Sequence, residues 1–326
     1  MKNLKKILLT LALLTLSLTA AANTQRGDVN SDGKVNMDDL TSMINYLVMN
    51  DMTGVSLEGA DVDHNGFIGM DDLTLMIHYL VMNTWGDEPL VHTEVITVNG
   101  VSFTMVYVEA GTFAMGATDE QLDDALPDEY PAHKVTLTFD YYIAQTEVTR
   151  ELWLAVMGEL PDRTINGELQ RPVTNVNRFD CALFVDYLSQ MTGRIFRMPT
   201  EAEWEYAARG GKFSRGYKYA GSDDAAEVAW YTSGPGAGLH PVAQKAANEL
   251  GLYDMSGNAS EWCQDWYVLY DSEPQTNPIG PESGQSNVHR GGGYLQPASM
   301  CRVAARNRLI PDKCADDLGL RIVMNP

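Results

Sequence analysis

DVNSDGKVNMDDLTSMINYLVMN (residues 28–50) and DVDHNGFIGMDDLTLMIHYLVMN (61–83) are two copies of one pattern, identical at 11 of their last 13 positions. Each copy opens with an acidic loop. In the first, Asp28, Asn30, Asp32 and Asp39 put oxygen side chains at loop positions 1, 3, 5 and 12, with Gly33 at the sharp turn, the Lys34 carbonyl at position 7 and Asn36 at position 9. In the second, Asp61, Asp63, Asn65 and Asp72 repeat the spacing around Gly66 and the Phe67 carbonyl, while Gly69 leaves position 9 to water. A hard, oxygen-seeking cation needs this arrangement, so two calcium ions are expected here, the second held more weakly. Each loop runs into a helical pattern, Leu40, Met43, Ile44 and Leu47 in one copy and Leu73, Met76, Ile77 and Leu80 in the other.

Ordinary EF-hands have a helix before the loop and Glu at position 12. Here only Asn23-Thr24-Gln25-Arg26 precedes loop one, and both loops end in Asp. Repeated half-hands of this kind resemble a type I dockerin. The resemblance implies a cohesin-type module on a scaffold protein as partner, read by residues late in the loops, here Met37-Asp38 and Met70-Asp71. Identical pairs allow docking in either of two orientations. The alternative is a calcium-stapled spacer in which Met37 and Met70 simply pack. A unit this small has little core, so calcium binding and folding are expected to be one event.

Lys2, Lys5 and Lys6, an apolar run from Ile7 to Leu18, and Ala20-Ala21-Ala22 read as a signal peptide cleaved after Ala22. No other stretch approaches the ~18 apolar residues of a membrane span. Secreted, extracellular or periplasmic placement makes Cys181, Cys263, Cys301 and Cys314 a possible two-disulfide set, in any of three pairings. The formal charge of −21, more negative still without the leader lysines, argues against nucleic acid and anionic membranes as partners. The organisation expected is a leader at 1–22, the calcium module at 23–84, a linker at 85–94 around Asp87-Glu88-Pro89, and a large domain at 95–326.

That large domain is rich in glycine and turn dipeptides. Strands are expected at Phe103–Glu109 and Lys134–Phe139, and helices at Thr149–Met157 and Asp180–Met191. Thr200 with Glu203 forms the capping box of a third helix. The strings MVYVEAGTFAMG (105–116), YYIAQTEVTRELW (141–153), RMPTEAEWEYAARGG (197–211), NELGLYDMSGNASEWCQDWY (248–267), RGGGY (290–294) and DDLGLRIV (316–323) occur in order. Together they resemble the sulfatase-modifying factor family, that of the formylglycine-generating enzymes. The implied fold class is a small all-α calcium-binding module of paired F-hands followed by a large α+β, loop-rich, C-type-lectin-like domain.

The resemblance also implies one further calcium ion at the GLYDMSGN turn, held by the side chains of Asp254 and Glu261 and the carbonyls of Gly257 and Ala259. These carboxylates can instead cap turns or pair with arginine. The family's copper sits between two thiolates, whose positions here are Gln296 and Cys301. An amide is a poor ligand for a soft monovalent ion, so copper is not expected. Gly293 stands where the family has serine, and Ser260 where it has tryptophan. Cys301 reads as a disulfide partner of Cys263 or Cys314 before it reads as a reactive thiol. The six histidines show no metal-ligand spacing, so iron is not supported.

What remains at the family's cleft is Trp262, Trp266, Tyr294, Gln296, Arg302 and Arg306, a surface suited to a glycan or peptide ligand. The two tryptophans, four residues apart, also fit a core, and the two arginines also fit internal ion pairs. The same C-terminal region is the diversified surface of some lectin-like proteins made by diversity-generating retroelements. Three readings follow. One is a secreted docking and ligand-binding protein without the oxidase activity, in a polysaccharide-degrading complex. Another is a formylglycine-generating or related oxidase that uses Cys301. The third is a structural, calcium-stabilised envelope protein.

Overall fold

The computed structural model describes residues 26–49, 51–62, 68–82, 92–121, 123–161 and 168–326. The chain falls into two compact units, divided between Leu90 and Val91.

The first unit is helical. Helices α1 (Met37–Met49) and α3 (Met70–Met82) follow the two acidic loops, and the short α2 (Leu57–Ala60) is opened by Ser56, whose hydroxyl accepts the Gly59 N–H. Val29, Leu40, Met43, Ala60, Val62 and Met76 form its buried cluster. The predicted stripes thus turn only part of themselves inward: Ile44 and Ile77 are exposed.

The second unit is built on three sheets. The five-stranded sheet runs β1 (Thr93–Val98), β2 (Val101–Val108), β5 (Tyr141–Ala144), β12 (Val323–Met324), β6 (Phe196–Arg197), antiparallel throughout. Asn99 and Gly100, both at positive φ, make the two-residue turn that joins β1 to β2 with Val98 opposite Val101. β1 starts at Thr93, inside the stretch read as linker, because its alternating pattern pairs residue for residue with β2. A four-stranded sheet has the order β10 (Arg306–Leu309), β9 (Asn287–Arg290), β7 (Ser260–Trp266), β11 (Leu318–Gly319), and a three-stranded sheet the order β3 (Gly111–Met115), β4 (His133–Leu137), β8 (Gln275–Thr276).

Strand alternation decides which core each side chain enters. Met105 faces the cluster under helices α4 (Arg150–Met157) and α5 (Arg178–Thr192), where Trp153 stacks on Phe184 with centroids 5.0 Å apart. Its neighbours Val106 and Val108 face a second cluster with Trp204 and Tyr206 of helix α6 (Glu201–Ala208). The expected caps form: Thr149 accepts the Leu152 N–H at 3.2 Å, and Thr200 with Glu203 closes its capping box at 3.0 and 2.9 Å. Helix α5 begins two residues earlier than expected, because Asn177 is its cap and Asp180 folds back onto the Asn177 N–H. No described helix is long and apolar enough to cross a membrane.

Candidate functional site

In the first unit, the carboxylates of Asp28, Asp32 and Asp39 converge to within 4.8 Å of one another. The backbone sets them there. Asp28 accepts the N–H groups of Asp32 and Gly33, both at 2.9 Å, and Asp39 accepts those of Asn30 and Asn36 at 3.0 and 2.8 Å. Asn30 also accepts the Asp32 N–H, and Asn36 the Asp38 N–H. Asp28 and Asp39 are buried, and no described arginine or lysine pairs with any of the three. Three converging, uncompensated carboxylates fit a divalent cation. In the second loop, Asp72 accepts the N–H groups of Val62 and Gly69, both at 2.7 Å. Gly69 therefore keeps the backbone role of Asn36 while losing its side chain. Asp61 is described. Asp63, Asn65 and Phe67 lie outside the described residues. Met37 and Met70, equivalent in the repeat, are 63% and 65% exposed, so neither packs as in the spacer reading.

In the second unit, the GLYDMSGN turn carries Asp254 at φ 57° with its Oδ2 on the Ala243 N–H at 2.7 Å. Glu261 does not offer itself as a ligand. Arg321 grips it through Nε at 3.0 Å to both oxygens and Nη2 at 2.8 Å, and the Trp204 indole N–H donates to it as well. The second carboxylate beside Asp254 is Glu147, whose Oε1 accepts the Ala259 N–H at 3.2 Å. Glu147 Oε2 and Asp254 Oδ1 are both buried without a hydrogen-bond partner among the described residues. Burial first, then the charge of Asp254, pushes the Glu147 carboxyl well above the usual range, and burial lifts Asp254 to about 6. A pair so placed takes up either a proton or a cation. The turn thus fits a cation through Asp254 and Glu147, with Gly257 and Ala259 on the same turn. Glu147 sits inside the string YYIAQTEVTRELW, but nothing local ties it to a turn more than a hundred residues on.

The positions of the family's two thiolates are likewise explicit. Gln296 is half-buried, its carbonyl accepting the Thr232 N–H at 2.9 Å and its own N–H donating to Gly293. Nearby, Asp317 Oδ2 is buried without a hydrogen-bond partner among the described residues. Cys301 is fully buried, and burial, with Asp317 adding, pushes its thiol up to about 12. A Cβ on Gly293 would lie 2.6 Å from the Asp317 Cβ and 2.7 Å from its carbonyl oxygen, so the serine expected of the family does not fit. Tyr294 is half-buried, its phenol raised by burial and by Asp316 and Asp317.

The remaining cleft residues are interior. Trp262 is fully buried, its indole N–H on the Val176 carbonyl at 3.0 Å. Arg302 pairs with Glu129 at 2.6 and 2.8 Å, and Arg306 with Glu201 at 2.6 and 2.8 Å. These three stabilise the fold and present nothing to a ligand; Trp266, Tyr294 and Gln296 of the expected set are only partly buried. The cysteines are also placed differently. All four are free thiols: Cys181, Cys263 and Cys301 are buried in three separate clusters and Cys314 is exposed, so no two are positioned to bond.

Residues 97–326 match the sulfatase-modifying factor enzyme 1-like domain, and residues 26–81 the dockerin type I domain. Among similar proteins, the chaperone protein LppX of Paenibacillus barcinonensis is 31% identical over 68% of this chain and 90% of its own length. The formylglycine-generating enzyme of Bos taurus is 35% identical, over 55% of this chain and 52% of that enzyme. Of solved structures, Treponema denticola variable protein 1 superposes with a TM-score of 0.64 at 32% identity, covering 72% of this chain and 99% of that one. PvdO from Pseudomonas aeruginosa gives 0.58 at 27% identity, over 72% and 98%. The chain belongs to the sulfatase-modifying factor family, and a type I dockerin domain precedes its family domain.

Proposed function

We propose that this is an exported, calcium-dependent docking protein whose large domain binds a ligand and does not oxidise sulfatase cysteines. Its dockerin module plugs into a cohesin-type module of a scaffold, within a polysaccharide-degrading complex. The exposed, repeat-related Met37 and Met70 support two equivalent docking orientations. Calcium fills both repeat loops and the Asp254–Glu147 turn. When bound there, it supplies charge that lets those carboxylates ionise together.

The observation that carries the non-oxidase reading is Gln296. Copper chemistry in this family rests on two thiolates, and one of the two positions here is an amide. The survivor, Cys301, is a poor donor: a thiol raised to about 12 surrenders its proton at a cost of roughly 7 kcal/mol at pH 7. The retained Cys301, with the 35% identity to a formylglycine-generating enzyme, favours a second reading in which oxidase activity persists. Metal content and oxygen uptake of one preparation, offered a sulfatase-type cysteine peptide, separate the two. Calcium at about three per chain, with no copper and no uptake, is expected. Stoichiometric copper with peptide-dependent oxygen consumption would overturn the proposal.

A further inference from the structure

We propose that the large domain carries a binding site for a neutral sugar between the end of β4 and the loop after β8. It names a ligand class for the binding role proposed above and rests on that reading. It shares no lining residue with the Tyr294–Gln296–Cys301 region. A cavity of about 450 Å³ opens there, inside the ~300–1,000 Å³ range of small-molecule sites.

Its walls combine two surfaces. Phe139 and Ile279 stand at the cavity 70% and 64% exposed, a large apolar surface that the domain does not itself cover. Opposite chemistry comes from planar polar groups. Gln264 lines the cavity, and its side-chain amide has no partner among the described residues. Arg197 and Glu203 lie in a forked pair, both bonds 2.7 Å. The loop is held in place before any ligand arrives: the Asn277 side chain bonds the Thr138 N–H and hydroxyl at 2.8 and 2.7 Å, and its own N–H reaches the Thr136 carbonyl.

These features select a ligand class. An aromatic ring covers the C–H face of a pyranose, and planar side chains with paired donors and acceptors match vicinal hydroxyls. The wall is net negative, with one arginine against two carboxylates. Arg197 is matched by Glu203, and both Asp140 oxygens are occupied, by the Tyr107 hydroxyl and the Ala110 N–H. The protein as a whole, at −21, repels anions. A neutral sugar fits, while a phosphorylated or sulfated one is excluded.

The test is calorimetric titration of the full protein in calcium with cellobiose, xylobiose, mannobiose and methyl galactoside. Glucose 6-phosphate and an aliphatic tetrapeptide serve as contrasts. At least one neutral sugar is expected to bind. Phe139→Ala and Gln264→Ala should each weaken it about tenfold, Phe139→Trp should retain it, and Tyr294→Ala should leave it unchanged. Both truncated side chains are ones the fold does not use, so thermal stability should hold and a lost signal reports the site. Binding by the tetrapeptide or the phosphate alone, binding indifferent to Phe139 and Gln264, or no sugar binding would each overturn the proposal. Copper-dependent oxygen uptake would refute the non-oxidase reading without moving the sugar result. A copper-free, inactive protein that binds no sugar would refute the sugar site alone.

Discussion

Replacing Asp39 by Asn should act with different size, and in part different sign, with and without calcium. Asp39 is fully buried at loop position 12, and its two oxygens accept separate backbone N–H groups. In the absence of calcium, the wild type holds three carboxylates within 4.8 Å. Two unit charges that far apart repel by roughly 3.5 kcal/mol at an effective dielectric of ~20, and by less where exposed Asp32 meets solvent. Removing one of the three charges therefore relieves repulsion in the variant. Against that, the amide nitrogen faces one of the two N–H groups and orphans it, at about 1–3 kcal/mol. In EDTA the relieved repulsion outweighs the orphaned N–H, so the variant should be at least as stable as the wild type. With calcium at ~1,000 times its dissociation constant, the wild-type site contributes about 4 kcal/mol, which the variant forfeits. The assay is thermal melting by circular dichroism in EDTA and in calcium, with calorimetric calcium stoichiometry. The variant should lose one calcium and most of the calcium-induced rise in Tm contributed by that loop. Equal stoichiometry and equal calcium-induced shifts would refute the assignment of Asp39 as a ligand. An identical loss in both conditions would show a purely structural role.

Three further outcomes are expected. Burial, with Glu201 adding, lifts the Asp265 carboxyl from its ordinary 3.8 to about 8. A group that holds its proton longer folded than unfolded stabilises fully below about pH 4 and loses that contribution as pH rises toward 8. Asp265→Asn keeps an oxygen for the Glu201 N–H at 2.9 Å, so urea unfolding should show the variant gaining on the wild type by about 2 kcal/mol between pH 6 and 8; parallel curves would contradict this. Gly293→Ser forces a Cβ against the Asp317 carbonyl oxygen and should cost ~1–3 kcal/mol in urea unfolding, with Asp317→Ala giving only partial rescue because the carbonyl remains. Thiol titration of the native protein should find one fast-reacting cysteine, Cys314, with the buried three appearing only on unfolding; a native count of zero would show disulfides instead.

Local chemistry was readable wherever a short stretch of chain decides the outcome. The converging loop carboxylates Asp28, Asp32 and Asp39 lie within 12 residues of one another, and the backbone bonds that aim them are equally local. The caps at Thr149 and Thr200 are set within four residues. Site assignment failed where partners are far apart in sequence. Nothing near Arg302 announces Glu129, which is 173 positions away, and nothing near Arg306 announces Glu201, 105 away. Glu261 looked like a calcium ligand because Arg321, which neutralises it, belongs to the last strand-forming segment of the chain. Trp262 follows the same logic: its neighbour in space, Val176, precedes helix α5. The missed start of that helix is a smaller case, since Asp180 reads as an ordinary first-turn acid until Asn177 is seen to cap it.

Gly293, Ser260 and Cys301 all meet at Asp317. Gly293 leaves room for the Asp317 side chain and carbonyl, and no β-carbon could stand there. Asp317 Oδ2 is buried there without a hydrogen-bond partner among the described residues. Ser260, which replaces a tryptophan, donates its N–H to the Asp317 carbonyl at 2.7 Å. Cys301 feels the same carboxylate as a force that keeps its thiol protonated. A copper(I) dithiolate is itself anionic, so a buried acid beside it opposes both the loss of the thiol proton and the complex that would form. Burial in turn raises the Asp317 carboxyl, opposed first by its own backbone N–H and only then by Gln296. Putting a thiol at Gln296 would leave this carboxylate, whose Oδ2 has no partner among the described residues, next to two sulfurs. Reversal therefore has to begin at Asp317, and a Gln296→Cys protein should remain copper-free and inactive even though both cysteines are present.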